Sequence, residues 1–294
     1  MSQELNETND WTVNFGSIEL DKNTYKYAIE GGRIDMLTWL KNNKCQYSYE
    51  FIDKDKDAYE LAMKHNKLTV VVWLNGNWSR ADLDTCDLAV KYERYHIINW
   101  LKLNRCPNFN ICNSAAKYGK LDVLGWAVNN NLSQVNVWTT YFAAEFGHLH
   151  VLKWLHDRAQ KFDSWVTFYA AKNNHLEVLK WSRTVGTDWN PAVCVVAARL
   201  GHFELLKWAM NNGCPYDKQK CEDAARENFN IEILKWIQNY VPNNNKVVTV
   251  QSDILTPNDE VIFKSVATKE SRTTIEIINN IESMLTQIQN ELKK

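Results

Sequence analysis

The chain has 294 residues, 45% of them hydrophobic, and a formal net charge of −1. That is ample apolar material for a buried core, and the near-neutral balance excludes the basic excess that general nucleic-acid binding requires. No apolar run approaches the ~18 residues of a membrane span, and the polar opening MSQELNETND has no basic segment followed by an apolar run, so no secretory signal is expected. Seven cysteines, an odd number, fit reduced thiols in a cytoplasmic compartment.

One stretch recurs along the chain. AARLGHFELLKW ends at Trp208, AAKNNHLEVLKW at Trp181, AAEFGHLHVLKW at Trp154 and AAKYGKLDVLGW at Trp126. Eroded copies end at Trp39, Trp73, Trp100 and Trp236, so that successive tryptophans are 34, 27, 26, 28, 27, 27 and 28 residues apart. A period of this size marks stacked supersecondary units, each touching its neighbours.

In chain order, residues 1–20 precede the first unit and form a candidate N-terminal cap, with Trp11, Phe15, Ile18 and Leu20 as its apolar residues. Eight units span 21–241. Seven residues before the first alanine position of each stands Asp21, Asp55, Asp82, Asn108, Asn136, Asp163, Asn190 or Asp217. A side-chain oxygen there accepts from free backbone N–H groups, so this position predicts the N-cap of a first helix. Pro191 is expected at the first helical position of unit seven, where a missing N–H costs nothing. That helix should stop at the Gly or Asn seven residues before the Trp, namely Gly32, Asn66, Gly119, Gly147, Asn174 and Gly201. Glu93 and Phe229 hold this place in units three and eight, where a different turn is expected.

A second helix follows, with apolar residues five, three and two before the Trp, as in Leu176, Val178, Leu179 and Trp181. Asp35, Asp122, Glu177, Glu204 and Glu232 fall in its first turn, where the helix dipole favours them. Small pairs such as Ala143–Ala144, Ala170–Ala171 and Ala197–Ala198 let helices approach closely. The extra residues between Trp39 and Trp73, including DKDKD at 53–57, predict a solvated loop. After Pro242 the register is lost. Residues 242–273 read as a linker with a weak hairpin, and 274–294 as an amphipathic helix with the seam Ile278, Ile281, Leu285, Ile288 and Leu292. That helix is either a lid over the last unit or an oligomerisation element.

The A-A-x-x-G-H-L-E-V-L-K-W pattern resembles the two-helix half of an ankyrin repeat over about Asp21–Tyr240. The unit is shorter than the ~33 residues of that family, and Thr139-Thr140-Tyr141-Phe142 stands where its T-P-L-H signature belongs. This short, Trp-containing, Asn-rich form is most similar to the ankyrin-like proteins of large DNA viruses of amoebae. Together with the seam of 274–292, the resemblance leads to the expectation of an all-α solenoid with a C-terminal capping helix. It also implies a non-catalytic protein–protein adaptor acting on host proteins. Some relatives carry an F-box, and no such segment is visible here.

No phosphate loop, H-E-x-x-H, G-x-S-x-G or kinase signature is present, so catalytic residues and cofactors are not expected. His148, His175 and His202 occupy one register, six residues before the Trp. A metal needs donors converging within ~2 Å, whereas equivalent atoms of packed helices lie roughly 10 Å apart, so turn histidines are expected rather than ligands. Every cysteine has a repeat address, either six after a Trp (Cys45, Cys106, Cys214) or three before the first alanine (Cys86, Cys112, Cys194, Cys221). Small buried hydrophobes behave that way.

Function in such an array lies where the units differ. First-helix positions five and two before the first alanine, and two after it, share one face. That face swings from Asp84/Asp87/Lys91 to Trp138/Tyr141/Glu145 and Trp165/Phe168/Lys172. Trp138, Tyr141, Trp165, Phe168 and Val195 are therefore expected to form an exposed apolar patch. Lys64, Lys91, Lys117, Lys172, Arg199 and Arg226 are expected to edge it with positive charge, suiting a helix or extended protein segment with acidic flanks. Two alternatives stand: the aromatics pack between units or lie beneath residues 247–292, and the cations merely end helices. A structural or virion-associated chain that self-assembles through 274–292 is a second functional reading, and an enzyme or metal-dependent protein a third.

Overall fold

The computed structural model describes residues 23–43, 55–106 and 109–241. Within them lie sixteen α-helices and no strand. They form eight pairs: α1 (Thr24–Gly31) with α2 (Ile34–Asn42), α3 (Asp55–Lys64) with α4 (Leu68–Asn77), α5 (Leu83–Lys91) with α6 (Tyr95–Leu103), and α7 (Ile111–Lys117) with α8 (Leu121–Asn129). There follow α9 (Val137–Glu145) with α10 (Leu149–His156), α11 (Trp165–Lys172) with α12 (Leu176–Thr184), α13 (Val193–Leu200) with α14 (Phe203–Asn211), and α15 (Lys218–Glu227) with α16 (Ile231–Asn239). Each odd-numbered helix packs on its own partner and on the next odd-numbered helix, from α1 to α15. None of these helices is long and apolar enough to cross a membrane.

The small pair in each first helix explains that row. Ala28, Ala62, Ala89, Ala115, Ala143, Ala170, Ala197 and Ala224 are all buried, so first helices lie close along these faces. The second helices bury their inner residues in the same register: Leu37 and Leu40, Ile97, Ile98 and Leu101, Val151, Leu152 and Leu155, Leu205 and Leu206. The repeated tryptophans sit at the edge of this core, half-buried except for the buried Trp73. Trp126 packs edge-on against Tyr95 and Trp236 against Phe203, the tyrosine and the phenylalanine each coming from the preceding unit.

Caps follow the sequence in part. Asp82, Asn136 and Asp217 accept from the backbone N–H groups of Thr85, Thr139 and Lys220, and Asn136 completes a capping box with Thr139. Asp163 and Asn190 accept from Trp165 and Ala192 in a tighter first turn that precedes α11 and α13. Pro191 consequently lies in that turn, before the helix, and does not open it. In unit four the cap of α7 is Asn110. Asp55 to Asp57 open α3, so the end of the DKDKD run is helical where a loop was expected. Asp21, Asn108, Cys45, the N-terminal cap and everything expected after residue 241 lie outside the described residues.

All eight pairs turn through a left-handed residue. Gly32, Asn66, Gly119, Gly147, Asn174 and Gly201 have positive φ, and so do Glu93 (φ 58°) and Phe229 (φ 57°). The expectation of a different turn in units three and eight is therefore corrected: packing imposes the same backbone, and the residue type bears the strain. A second left-handed position recurs five residues after the Trp, at Arg105, Asn131, Ala159, Gly186 and Gly213.

Six residues before each Trp from unit three onward, a side chain reaches back to the preceding unit. His148, His175 and His202 place Nε2 3.0, 3.0 and 3.1 Å from the backbone oxygens of Lys117, Glu145 and Lys172. Asn230 donates to Ala198 and Arg199, and Arg94 to Met63 and Lys64. At this position Lys120 instead pairs with Glu93 at 2.6 Å. The imidazoles lie over Gly119 and Gly147, where a Cβ would sit 2.5 Å from the ring of His148 or His175. These histidines are thus clamps on the helix-end carbonyls of their neighbours.

Candidate partner-binding face

The variable first-helix face is a seam between units as much as a free surface. In the first half of the molecule its polar residues satisfy one another. Glu60 accepts from Lys91 and from the Tyr92 hydroxyl, both at 2.7 Å. Asp87 is buried and takes Lys117 at 2.6 Å together with the hydroxyl of Ser114. Between units four and five the pair is neutral, Thr139 donating to Asn113 at 2.7 Å.

From Trp138 onward the same positions carry rings. Trp138 meets Tyr141 edge-on at 5.6 Å between centroids, and Tyr141 meets Tyr169 at 5.2 Å. Trp165 contacts Tyr169 at 6.1 Å and Phe168 at 5.2 Å. The cluster therefore bridges α9 and α11 across the junction of units five and six. Tyr169 and Phe142, one residue beyond the positions of Phe168 and Tyr141, belong to it and were not in the sequence-derived set. An aromatic at the next residue of two adjacent units was the signal that marked them.

The exposure of these rings divides the expected patch. Trp138 is 51% exposed, Tyr141, Trp165 and Val195 are half-buried, and Phe168 is 3% exposed. Phe168 is thus a core residue, which corrects its place in an exposed patch. The position two before the alanine is buried at Phe168 as it is at Asp87. Tyr141 donates its hydroxyl to Asp163 at 2.6 Å. Burial, then this bond, hold the phenol well above its usual range, so it stays protonated and fixed.

The expected positive rim is corrected as well. Lys91 and Lys117 are paired as above, Lys172 meets Glu145 at 3.2 Å, Arg226 meets Asp223 at 2.6 Å and Arg199 lies 3.9 Å from Glu227. Lys64 is exposed and has no carboxylate partner among the described residues. Charge on this edge is mostly internal to the stack, so it offers little long-range attraction.

The cysteines depart from the expectation of uniformly free thiols. Cys86 and Cys106 are joined as a disulfide, whereas Cys112, Cys194, Cys214 and Cys221 are free and buried. Cys106, half-buried, also lines a cavity of about 530 Å³ with Arg80, Trp100, Asn104 and Arg105. Among the described residues no three His, Cys, Asp or Glu side chains are placed to hold a metal ion.

No protein-family model matches the chain, and no curated protein matches it in sequence.

Proposed function

We propose that the chain is an α-solenoid of eight ankyrin-like units that serves as a non-catalytic scaffold, docking a partner protein on the ring cluster of α9 and α11. The observation that carries this reading is Trp138, a half-exposed indole in a ring network that spans two units. Large, rigid aromatics with polar tips give much contact area at little conformational cost, and they dominate the energetics of protein interfaces. With five of the six rim cations already paired, the partner is a segment presenting apolar side chains, and acidic flanks are not required of it.

The test is capture of the partner from the native host by the full chain and by the Trp138→Ala/Trp165→Ala double variant, each with its melting curve. The reading expects capture to be lost with unfolding little changed. Retained capture, or loss of capture in step with stability, would contradict it. The alternative of self-assembly through 274–292 predicts instead that the full chain is oligomeric and a 1–242 truncation monomeric by light scattering.

A further inference from the structure

The two cysteine pairs of units three and seven occupy one register. Cys86 stands three residues before Ala89 and Cys106 six after Trp100; Cys194 stands three before Ala197 and Cys214 six after Trp208. The first pair is bridged across a separation of 20 residues, and the second has the same separation. In both units the bridge position joins the first helix to the loop that leaves the second helix. Both thiols of the second pair are buried, and Cys214 lies close enough to Cys194 to raise its pKa. The Cys214 thiol donates to the carbonyl of Pro215 at 3.6 Å. The other cysteines lack this arrangement. The partner position of Cys112 is Leu132, and that of Cys45 is Tyr25.

We infer that Cys194 and Cys214 are a second crosslinking site, closed to a disulfide by a peroxide. The repeat puts the pair in the register of Cys86 and Cys106, linking the same two segments of the unit. Cys214, on the loop, reacts first. Its thiolate attacks one peroxide oxygen, the O–O bond breaks, and the departing hydroxide takes up a proton, leaving a sulfenic acid and water. The Cys194 sulfur then displaces the sulfenic hydroxyl, the Cys194 proton leaves with it as a second water, and the S–S bond forms. Two thiols are oxidised and one hydrogen peroxide is reduced to two waters. The neighbouring Cys214 thiol, and burial after it, raise the Cys194 thiol above its ordinary range, which accords with Cys194, on the helix, acting as the resolving partner. Closed, the two crosslinks flank the ring cluster of units five and six, one on each side.

The experiment uses the full chain, reduced, treated with hydrogen peroxide, alkylated under denaturing conditions and mapped without reduction. The expected map contains Cys86–Cys106 and Cys194–Cys214 links, and the second survives in Cys221→Ala. Oxidised wild type should melt roughly 5 °C above oxidised Cys214→Ala, each measured relative to its reduced form. A Cys214–Cys221 link would overturn the inference. So would alkylation of both Cys194 and Cys214 after the Cys86–Cys106 bond has closed. The wild-type map decides this whether or not the variants fold.

Discussion

The face of α3, α5 and α7 and the face of α9 and α11 are built from the same three helix positions, yet they do opposite things. In the first, Glu60 finds its complement in Lys91 on the next helix, and Asp87 in Lys117 and Ser114. In the second, rings bridge the units and one indole is left half in water. A position on a repeated helix is therefore available for binding only if the next unit fails to satisfy it.

The two faces differ most in what removing Phe168 costs. Phe168→Ala should cost about 3–4 kcal/mol in urea unfolding, as a buried phenyl does, whereas a free patch residue would cost little. Lys117→Met follows. It leaves the buried Asp87 carboxylate with Ser114 alone, and a loss of about 2 kcal/mol is expected; further replacing Asp87 by Asn should recover part of it. Phe229→Gly runs the other way. Its ring is 82% exposed, so little packing is lost, while left-handed strain is relieved. A gain of about 1 kcal/mol is expected. Glu93→Gly should gain less, because the Lys120 pair goes with the side chain.

A smaller effect sharpens the clamp between units four and five. Burial, with repulsion from His150 and His175 beyond it, lowers the His148 pKa from 6.5, outweighing the bond to the Lys117 carbonyl. A group whose folded pKa is depressed below its unfolded value favours the fold while neutral. The contribution is thus present above about pH 6.5 and lost as pH falls through the folded value. His148→Asn, which copies what Asn230 does at the same position, should remove that acid sensitivity while keeping the junction. Melting curves at several pH values read this directly. Trp138→Ala should change stability least of all.

The local half of the fold was legible in the sequence. Asp82, Asn136 and Asp217 cap as their side-chain oxygens dictate, and Gly32 and Gly201 turn where left-handed backbone is cheapest. What escaped was set by neighbours. Glu93 and Phe229 turn left-handed because the second helix that starts two residues later must dock, whatever residue stands there. The pairing of the rim lysines and the histidine clamps join residues some thirty positions apart. That offset is one unit plus a turn, so opposite charges recurring at it would have revealed the pairs. The Cys86–Cys106 bridge was also written in the register, but each cysteine was explicable alone as a small apolar residue.

The claim that the α9 and α11 ring cluster is open to a partner is tested most directly by hydroxyl-radical footprinting of the free full-length chain. Rapid modification of Trp138, intermediate modification of Trp165, and protection of Trp73 and Phe168 are the predicted pattern. If Trp138 is protected as strongly as Trp73, the cluster is already covered in the free chain, and the proposed docking face does not exist.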